Sequence, residues 1–299
     1  MIKRKCCGLC GSHILRTLFL KNGARVVRCE KCGFIFVNSV LNESTMATMY
    51  SQSDRADDLV DLNFESHRAW HQKRVKQRMA FIHFRKRAEE IEKLMRVGRI
   101  LDVGCSTGLF LDIMKARGWC PYGLEPNQKA SKYAREFGLN VSTQTLKEAN
   151  LPSAFFDVIT LWEVIEHFVS PISALLKIKH ALREGGIVGI STPNMNGLVN
   201  KALKEHSRHF DVQHVNYFTP KTLGKLMNKT GFEVVKMRTE KLDFATCISH
   251  ISGKQQRYKK LFYNLARSLE LMASIFLDPL IARTSLGNYI VLYGIVKGG

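Results

Sequence analysis

The stretch Arg99-Ile-Leu-Asp-Val-Gly-Cys-Ser-Thr-Gly-Leu109 constrains this chain most: a short apolar run enters a glycine-punctuated turn and then a helical pattern. Ile100, Leu101 and Val103 read as a buried strand, and Gly104 and Gly108 permit a tight turn that a ligand can approach closely. Leu109 to Arg117 continues as a helix closed by Gly118. A dinucleotide fingerprint needs G-x-G-x-x-G, and the frame positions here are Gly104, Ser106 and Leu109, so it fails at two of three. The frame that fits is D/E-x-G-x-G-x-G, as Asp102-x-Gly104-x-Ser106-x-Gly108, with serine at the middle glycine. The turn reads as a cofactor cradle.

From Ile100 onward strands and helices alternate, which predicts a parallel sheet covered by helices. Trp119 to Glu125 is the second strand, Asn127 to Phe137 a helix, Leu139 to Thr143 the third strand and Phe156 to Trp162 the fourth. Pro171 to Leu182 is the next helix, and Ile187 to Thr192 the fifth strand. Thr219-Pro220 is an N-cap with proline at the first helical position, and that helix ends near Gly231. Phe232 to Met237 and Asn288 to Val296 complete the strands.

Two further features of this pattern carry chemistry. Glu125 stands at a strand end some 20 residues after the first strand, where a carboxylate can accept both hydroxyls of a ribose. Glu163, Glu166 and His167 follow the fourth strand at i, i+3 and i+4, and on a helical turn they share a face. Two acids and an imidazole at the end of a strand beside the glycine turn can bind a divalent cation or hold a proton acceptor.

The N-terminus has its own logic. Five of eight cysteines lie in the first 32 residues, as Cys6 and two C-x-x-C-G knuckles. Cys7, Cys10, Cys29 and Cys32 have the spacing to close a tetrahedron around Zn²⁺, which leaves Cys6 over. Ile14 to Leu20, Arg25 to Arg28 and Phe34 to Val37 read as strands around a turn at Asn22-Gly23, a zinc ribbon over residues 1–38. The ribbon is either a recognition module or a metal-stapled structural one.

Residues 39–98 form a polar connector and then basic leading helices, with Phe64 to Arg99 helical in pattern. Val75, Met79, Ile82, Ile91, Leu94 and Met95 form the packing face, and Arg85-Lys86-Arg87 belongs to the charged one. A helical insertion over about 250–285 sets Leu261, Leu265, Leu269, Met272 and Phe276 against lysines and arginines. Such stripes mostly pack on their own domain; a substrate lid or a peripheral helix on an anionic membrane is the alternative. The formal charge of +19 admits nucleic acid, an anionic membrane surface or a phosphorylated substrate. No apolar run reaches the roughly 20 residues of a membrane span, and Met1-Ile-Lys-Arg-Lys has no secretory apolar region, so a cytoplasmic protein is expected.

Asp102 to Gly108, Glu125-Pro-Asn, Phe156-Asp-Val, Glu163-x-x-Glu166-His167, Leu182-Arg-Glu-Gly-Gly186 and Ser191-Thr-Pro-Asn194 occur in the order and spacing of class I methyltransferases. His214-Val-Asn-Tyr-Phe-Thr-Pro and Gly231-Phe-Glu-Val-Val match further segments of these families. The chain resembles the bacterial zinc-ribbon methyltransferases of polysaccharide and natural-product assembly, and its core resembles the ubiquinone-biosynthesis O-methyltransferases. The resemblance implies a Rossmann-like, doubly wound α/β sheet with the last strand antiparallel, over residues 99–299. It also implies S-adenosylmethionine as cofactor, with Asp102 and the turn Gly104, Cys105, Ser106 and Gly108 holding the methionine end. Glu125-Pro126 would take the ribose, Thr145 and Leu146 skirt the adenine, and Trp162 and Glu163 line the methyl-donor pocket.

The acceptor implied is a small molecule, a saccharide or a lipid-linked saccharide with an oxygen, nitrogen or carbon nucleophile. His167 and His214 are expected on its side of the pocket; Glu163 or Glu166 would orient His167, or Glu163, Glu166 and His167 together would hold a cation such as Mg²⁺. An RNA methyltransferase, or a nucleic-acid-binding protein using ribbon and charge, is the alternative; the ribbon shows no exposed aromatic pair for stacking bases.

Overall fold

The computed structural model describes residues 2–21, 23–41, 45, 67–68, 79–207, 209–210, 213–241, 281–282 and 284–297. The ribbon comprises β1 (Ile2–Lys3), β2 (Leu15–Lys21), β3 (Ala24–Cys29), β4 (Ile35–Val37) and β5 (Ser39–Val40). Helix α1 (Met79–Glu92) leads into β6 (Arg99–Val103), α2 (Leu109–Ala116), β7 (Cys120–Leu124), α3 (Gln128–Glu136) and β8 (Asn140–Ser142). There follow β9 (Phe156–Trp162), a 3₁₀ turn (Ile165–His167), α4 (Pro171–Ala181), β10 (Leu182–Pro193) and α5 (Leu198–Leu203). The last described elements are β11 (Asn216–Tyr217), α6 (Pro220–Lys229), β12 (Phe232–Glu240) and β13 (Tyr289–Val296).

Seven strands form one sheet in the order β12-β13-β10-β9-β6-β7-β8. Strands β10, β9, β6, β7 and β8 pair in parallel, and β13 runs antiparallel to both β10 and β12. This is the class I methyltransferase arrangement. Helix starts follow local chemistry. Asn127 caps α3 by accepting from the Ala130 amide, Ser170 caps α4 with Pro171 behind it, and Thr219 and Thr222 form a reciprocal capping box on α6. No helix among the described residues is long and apolar enough to cross a membrane.

One sheet face packs on α1 and α2 through Ala88, Ile91, Phe110, Trp162 and Tyr293. The other packs on α4 and α6, and its cluster continues without a break into the ribbon through Leu9, Phe34 and Phe36. The ribbon sheet has the order β11-β4-β3-β2, so its edge strand is supplied by Asn216 and Tyr217, from beyond the fifth strand of the main sheet. Phe34 and Phe36 stack at 5.7 Å, and Phe34 lies 5.4 Å from Phe218, so this aromatic pair faces inward.

Several expectations need correction. Helix α1 stops at Glu92, not Arg99, because Arg99 already pairs with Cys120 as the first residue of β6. Its faces are also reassigned: Ile82 and Leu94 are exposed, whereas Arg87 is only 3% exposed because Glu240 and the Trp162 ring receive its guanidinium. Strand β10 begins at Leu182, which pairs with Phe156 ahead of a register shift, not at Ile187. The expected apolar stripe from Leu261 to Phe276, and Val75 of the expected packing face, lie outside the described residues.

Candidate functional site

The turn after β6 puts every second residue in the left-handed region: Gly104 at φ 74°, Ser106 at 48° and Gly108 at 83°. That alternation is what a G-x-G-x-G frame encodes, and serine tolerates it at the position with the smallest excursion. Space adds a second reason for glycine at the ends. A Cβ on Gly104 would lie 2.6 Å from Val164 Cγ2, and one on Gly108 would collide with Leu139. The Gly104 and Cys105 amides both donate to the Leu124 carbonyl, at 2.7 and 3.1 Å, which ties the turn to β7.

Glu125 closes the cradle from the other side. Its Oε2 accepts from the Ser106 amide and its Oε1 from the Asn127 amide, both at 2.8 Å. Burial raises its pKa even against these two donors. Pro126 bridges Glu125 to the N-cap of α3. Asp102 sits beneath the turn with Oδ1 accepting from the Thr160 hydroxyl at 2.6 Å, and burial pushes it up to about 7. The Cys105 side chain is buried with Leu111, Leu139 and Val141, and its Sγ donates to the Ser106 carbonyl at 3.8 Å. Thr145, beyond β8, bonds Glu148 through its amide and hydroxyl, while the Leu146 side chain belongs to the main core.

Trp162 ends β9 buried, edge-on to Phe110 at 5.4 Å, with the Arg87 guanidinium 4.5 Å from its ring. That guanidinium belongs to a buried network that sequence reasoning missed. Arg87 pairs with Glu240 at 3.3 Å; Arg238 pairs with Glu240 and, through Nε and Nη2, with both oxygens of Glu90 at 3.0 and 3.1 Å. Lys236 and the Tyr293 hydroxyl also donate to Glu90. Burial alone would raise Glu240, but the Arg87 and Arg238 charges hold it well below the ordinary range. The available hint was Glu90 one turn after Arg87, a charge pair of a kind that also decorates exposed helices.

The expected shared face of Glu163, Glu166 and His167 does not form. Glu163 takes φ 62° and is exposed, so the 3₁₀ turn starts only at Ile165. Its place is taken by His214: the ligand atoms of Glu166, His167 and His214 lie within 4.8 Å of one another. The imidazoles meet edge to face at 4.7 Å. His167 Nδ1 bonds the Gln213 carbonyl at 3.0 Å and His214 Nδ1 the His209 carbonyl at 2.8 Å. A carbonyl can only accept, so in each of these bonds Nδ1 is the donor.

Glu166 is 1% exposed, and neither carboxylate oxygen meets a donor at hydrogen-bonding geometry. Burial, joined by the Glu163 charge, pushes it up to about 8, although the nearby Thr192 hydroxyl pulls the other way. Burial and the neighbouring His214 push His167 down to about 3. Two imidazoles with tethered Nδ1 atoms and a buried carboxylate that meets no donor at hydrogen-bonding geometry form a donor set of the kind that holds a divalent cation.

At the ribbon, the Sγ atoms of Cys7, Cys10, Cys29 and Cys32 all lie within 4.8 Å of one another. Cys7 to Cys32 and Cys10 to Cys29 are each 3.5 Å. A thiolate tetrahedron at Zn–S of about 2.3 Å has edges of about 3.8 Å, so the four fit the ion. Cys6 stands outside the set.

A family model described as a methyltransferase domain matches residues 67–237. Among curated proteins, the ubiquinone biosynthesis O-methyltransferase of Aeromonas salmonicida is 36% identical over 105 residues, 33% of this chain and 44% of that protein. The one from Azoarcus sp. is 38% identical over 105 residues, 33% of this chain and 45% of that protein. The match therefore spans less than half the length of these relatives. Among solved structures, a SAM-dependent methyltransferase from Thermotoga maritima is 18% identical with TM-score 0.56, covering 84% of this chain and 100% of that one. The phosphoethanolamine N-methyltransferase 2 of Haemonchus contortus, in complex with S-adenosyl-L-methionine, is 15% identical with TM-score 0.58, covering 88% and 62%. These two likenesses concern the fold.

Proposed function

Because this chain belongs to the class I S-adenosylmethionine-dependent methyltransferase family, whose domain model matches residues 67–237, we propose that it moves a methyl group from that cofactor to an oxygen or nitrogen nucleophile of a small-molecule or saccharide acceptor. The observation that carries the proposal is the cradle. Three left-handed residues at 104, 106 and 108 shape the turn while the Ser106 amide docks on the acid expected to take the ribose, Glu125. Asp102, buried beside them, receives the methionine end. A sulfonium is already a good leaving group, so the protein has to align donor and acceptor and deal with the acceptor's proton.

Glu166, His167 and His214 take the acceptor side. An imidazole held as low as His167 is a weak base, so the cluster serves as ligands: Glu166, His167 and His214 hold a divalent cation. When bound, such an ion lowers the pKa of an acceptor hydroxyl. Two nitrogen donors favour a first-row transition ion over Mg²⁺, which takes oxygen ligands. Glu163, exposed at the rim, is left to contact the methyl-donor end, and Zn²⁺ in the four-cysteine site holds the ribbon together.

Calorimetry with S-adenosylmethionine on the wild type and Glu125→Ala tests the cofactor half: micromolar-range binding lost at least tenfold in the variant is expected, and no wild-type binding overturns it. Untargeted metabolite comparison of cells with and without the protein then identifies the acceptor by a methyl-sized mass difference. With that acceptor, His167→Gln and His214→Gln should keep cofactor affinity and lose turnover; wild-type turnover in both variants rejects the acceptor-side role.

A further inference from the structure

Arg4 leaves the ribbon and enters the segments that carry the two histidines. Its Nη2 donates to the Val169 carbonyl at 2.7 Å, and its Nη1 to the Val215 carbonyl at 3.2 Å and Asn216 Oδ1 at 3.0 Å. Val169 lies two residues after His167, and Val215 and Asn216 directly follow His214. The same two segments are zipped to each other. The Val215 amide donates to the Glu166 carbonyl at 3.0 Å, Asn216 Nδ2 to the Phe168 carbonyl at 2.6 Å, and His167 Nδ1 to the Gln213 carbonyl at 3.0 Å. Arg4 is the outermost rung of this ladder and reaches it from the ribbon through its side chain.

The ribbon holds Arg4 firmly in return. The Arg4 amide donates to the Asn38 carbonyl at 2.7 Å, and its guanidinium lies 5.7 Å from the centroid of the Phe36 ring. On the other side of the same junction, Asn216 pairs with Phe36 and Tyr217 with Ile35, while the Val37 amide donates to the Val215 carbonyl at 3.1 Å. Ribbon backbone and one ribbon side chain thus converge on the three residues after His214.

We propose that Arg4 is a positioning residue, through which the zinc ribbon sets the placement of His214 beside His167. The inference rests on the acceptor-side reading of those histidines. It also gives the ribbon a part in the site without direct ligand contact. Only a guanidinium, a planar fork of donors, can serve three acceptors from two segments at once; a lysine supplies one point charge and loses the geometry. Burying it is costly enough to bring Arg4 down to about 10, so the cation is retained against a desolvation cost.

The test uses the zinc-loaded full chain and variants Arg4→Gln and Arg4→Lys. Long-range ¹⁵N–¹H spectra of labelled histidines report the tautomers, with His167→Gln and His214→Gln providing assignments. Wild type should show one Nδ1–H tautomer for each ring; in both Arg4 variants the His214 signal should broaden or move toward a tautomer mixture. Zinc should stay at one per chain and S-adenosylmethionine affinity within about twofold. Mn²⁺, which does not compete for four thiolates, should bind about 10 to 100 times more weakly, as for loss of a supporting hydrogen bond around a metal site. Histidine spectra unchanged in both variants overturn the inference. A wild type with the expected tautomers but no Mn²⁺ binding overturns the cation reading alone and leaves Arg4 judged by the spectra. Should Arg4→Gln lose its zinc, Arg4→Lys, which keeps the charge and stem, decides.

Discussion

The Ser106 amide donates to Oε2 of Glu125 across 2.8 Å while Ser106 itself is held in the left-handed region at φ 48°. The shape of the turn and the seat of the acid are therefore one feature. A left-handed L-residue costs about 1–2 kcal/mol, and glycine repays most of its relief in unfolded-chain entropy. Ser106→Gly is thus expected to change stability by less than about 1 kcal/mol and to leave cofactor affinity intact. Ser106→Val, β-branched, should lose more than about 1 kcal/mol and weaken cofactor binding. Urea titration and calorimetry read both; a valine variant equal to wild type would show that the left-handed turn is not required.

Asp102 makes stability depend on pH in a direction opposite to most carboxylates. Folding raises its pKa from 3.8 to about 7 through burial. Between those values the folded chain binds more protons than the unfolded one, so this contribution is full below about pH 4 and is lost as pH rises toward 7. The slope is at most about 1.4 kcal/mol per pH unit. Asp102→Asn should erase it, so the variant gains on wild type between pH 4 and 7 in urea midpoints. Parallel curves for the two proteins would contradict the buried, protonated acid. In wild type the cationic cofactor should in turn expel this proton on binding near pH 6, visible as a buffer-dependent binding enthalpy.

Glu240 is the partner that Arg87 and Arg238 share. Removing Arg87 takes one of the two cations from the buried Glu240 and leaves its other oxygen on Arg238, so Arg87→Met should cost about 1–3 kcal/mol. Adding Glu240→Gln should recover part of that loss, and the double-mutant cycle gives the coupling. Additive losses would mean that the two side chains do not interact in solution.

Cys29→Ser should abolish zinc binding, measured by metal analysis, and reach far beyond the ribbon. Leu9, Phe34 and Phe36 share one hydrophobic cluster with Leu223, Met227 and Phe232 of the main fold. The variant should therefore melt in one broadened transition at lower temperature, with loss of about 3 kcal/mol or more. A ribbon that melts separately while the remainder keeps its wild-type transition would count against this shared core.

What the sequence determined by itself was local. The glycine turn, the cysteine knuckles, the caps at Asn127, Ser170 and Thr219 and the alternation of strand and helix all depend on residues a few positions apart, where steric rules and hydrogen-bond reach act directly. Tertiary structure decided the rest. His214 joins Glu166 because the ladder from Gln213 to Asn216 is laid against the 3₁₀ turn, and Glu163 drops out because its own backbone turns left-handed first. Arg87, one of three adjacent basic residues, is buried because Glu240 arrives 153 positions later to receive it. Spacing in sequence carries no trace of such meetings: they are set by which strand edges and helix faces the packed sheet brings into hydrogen-bonding range.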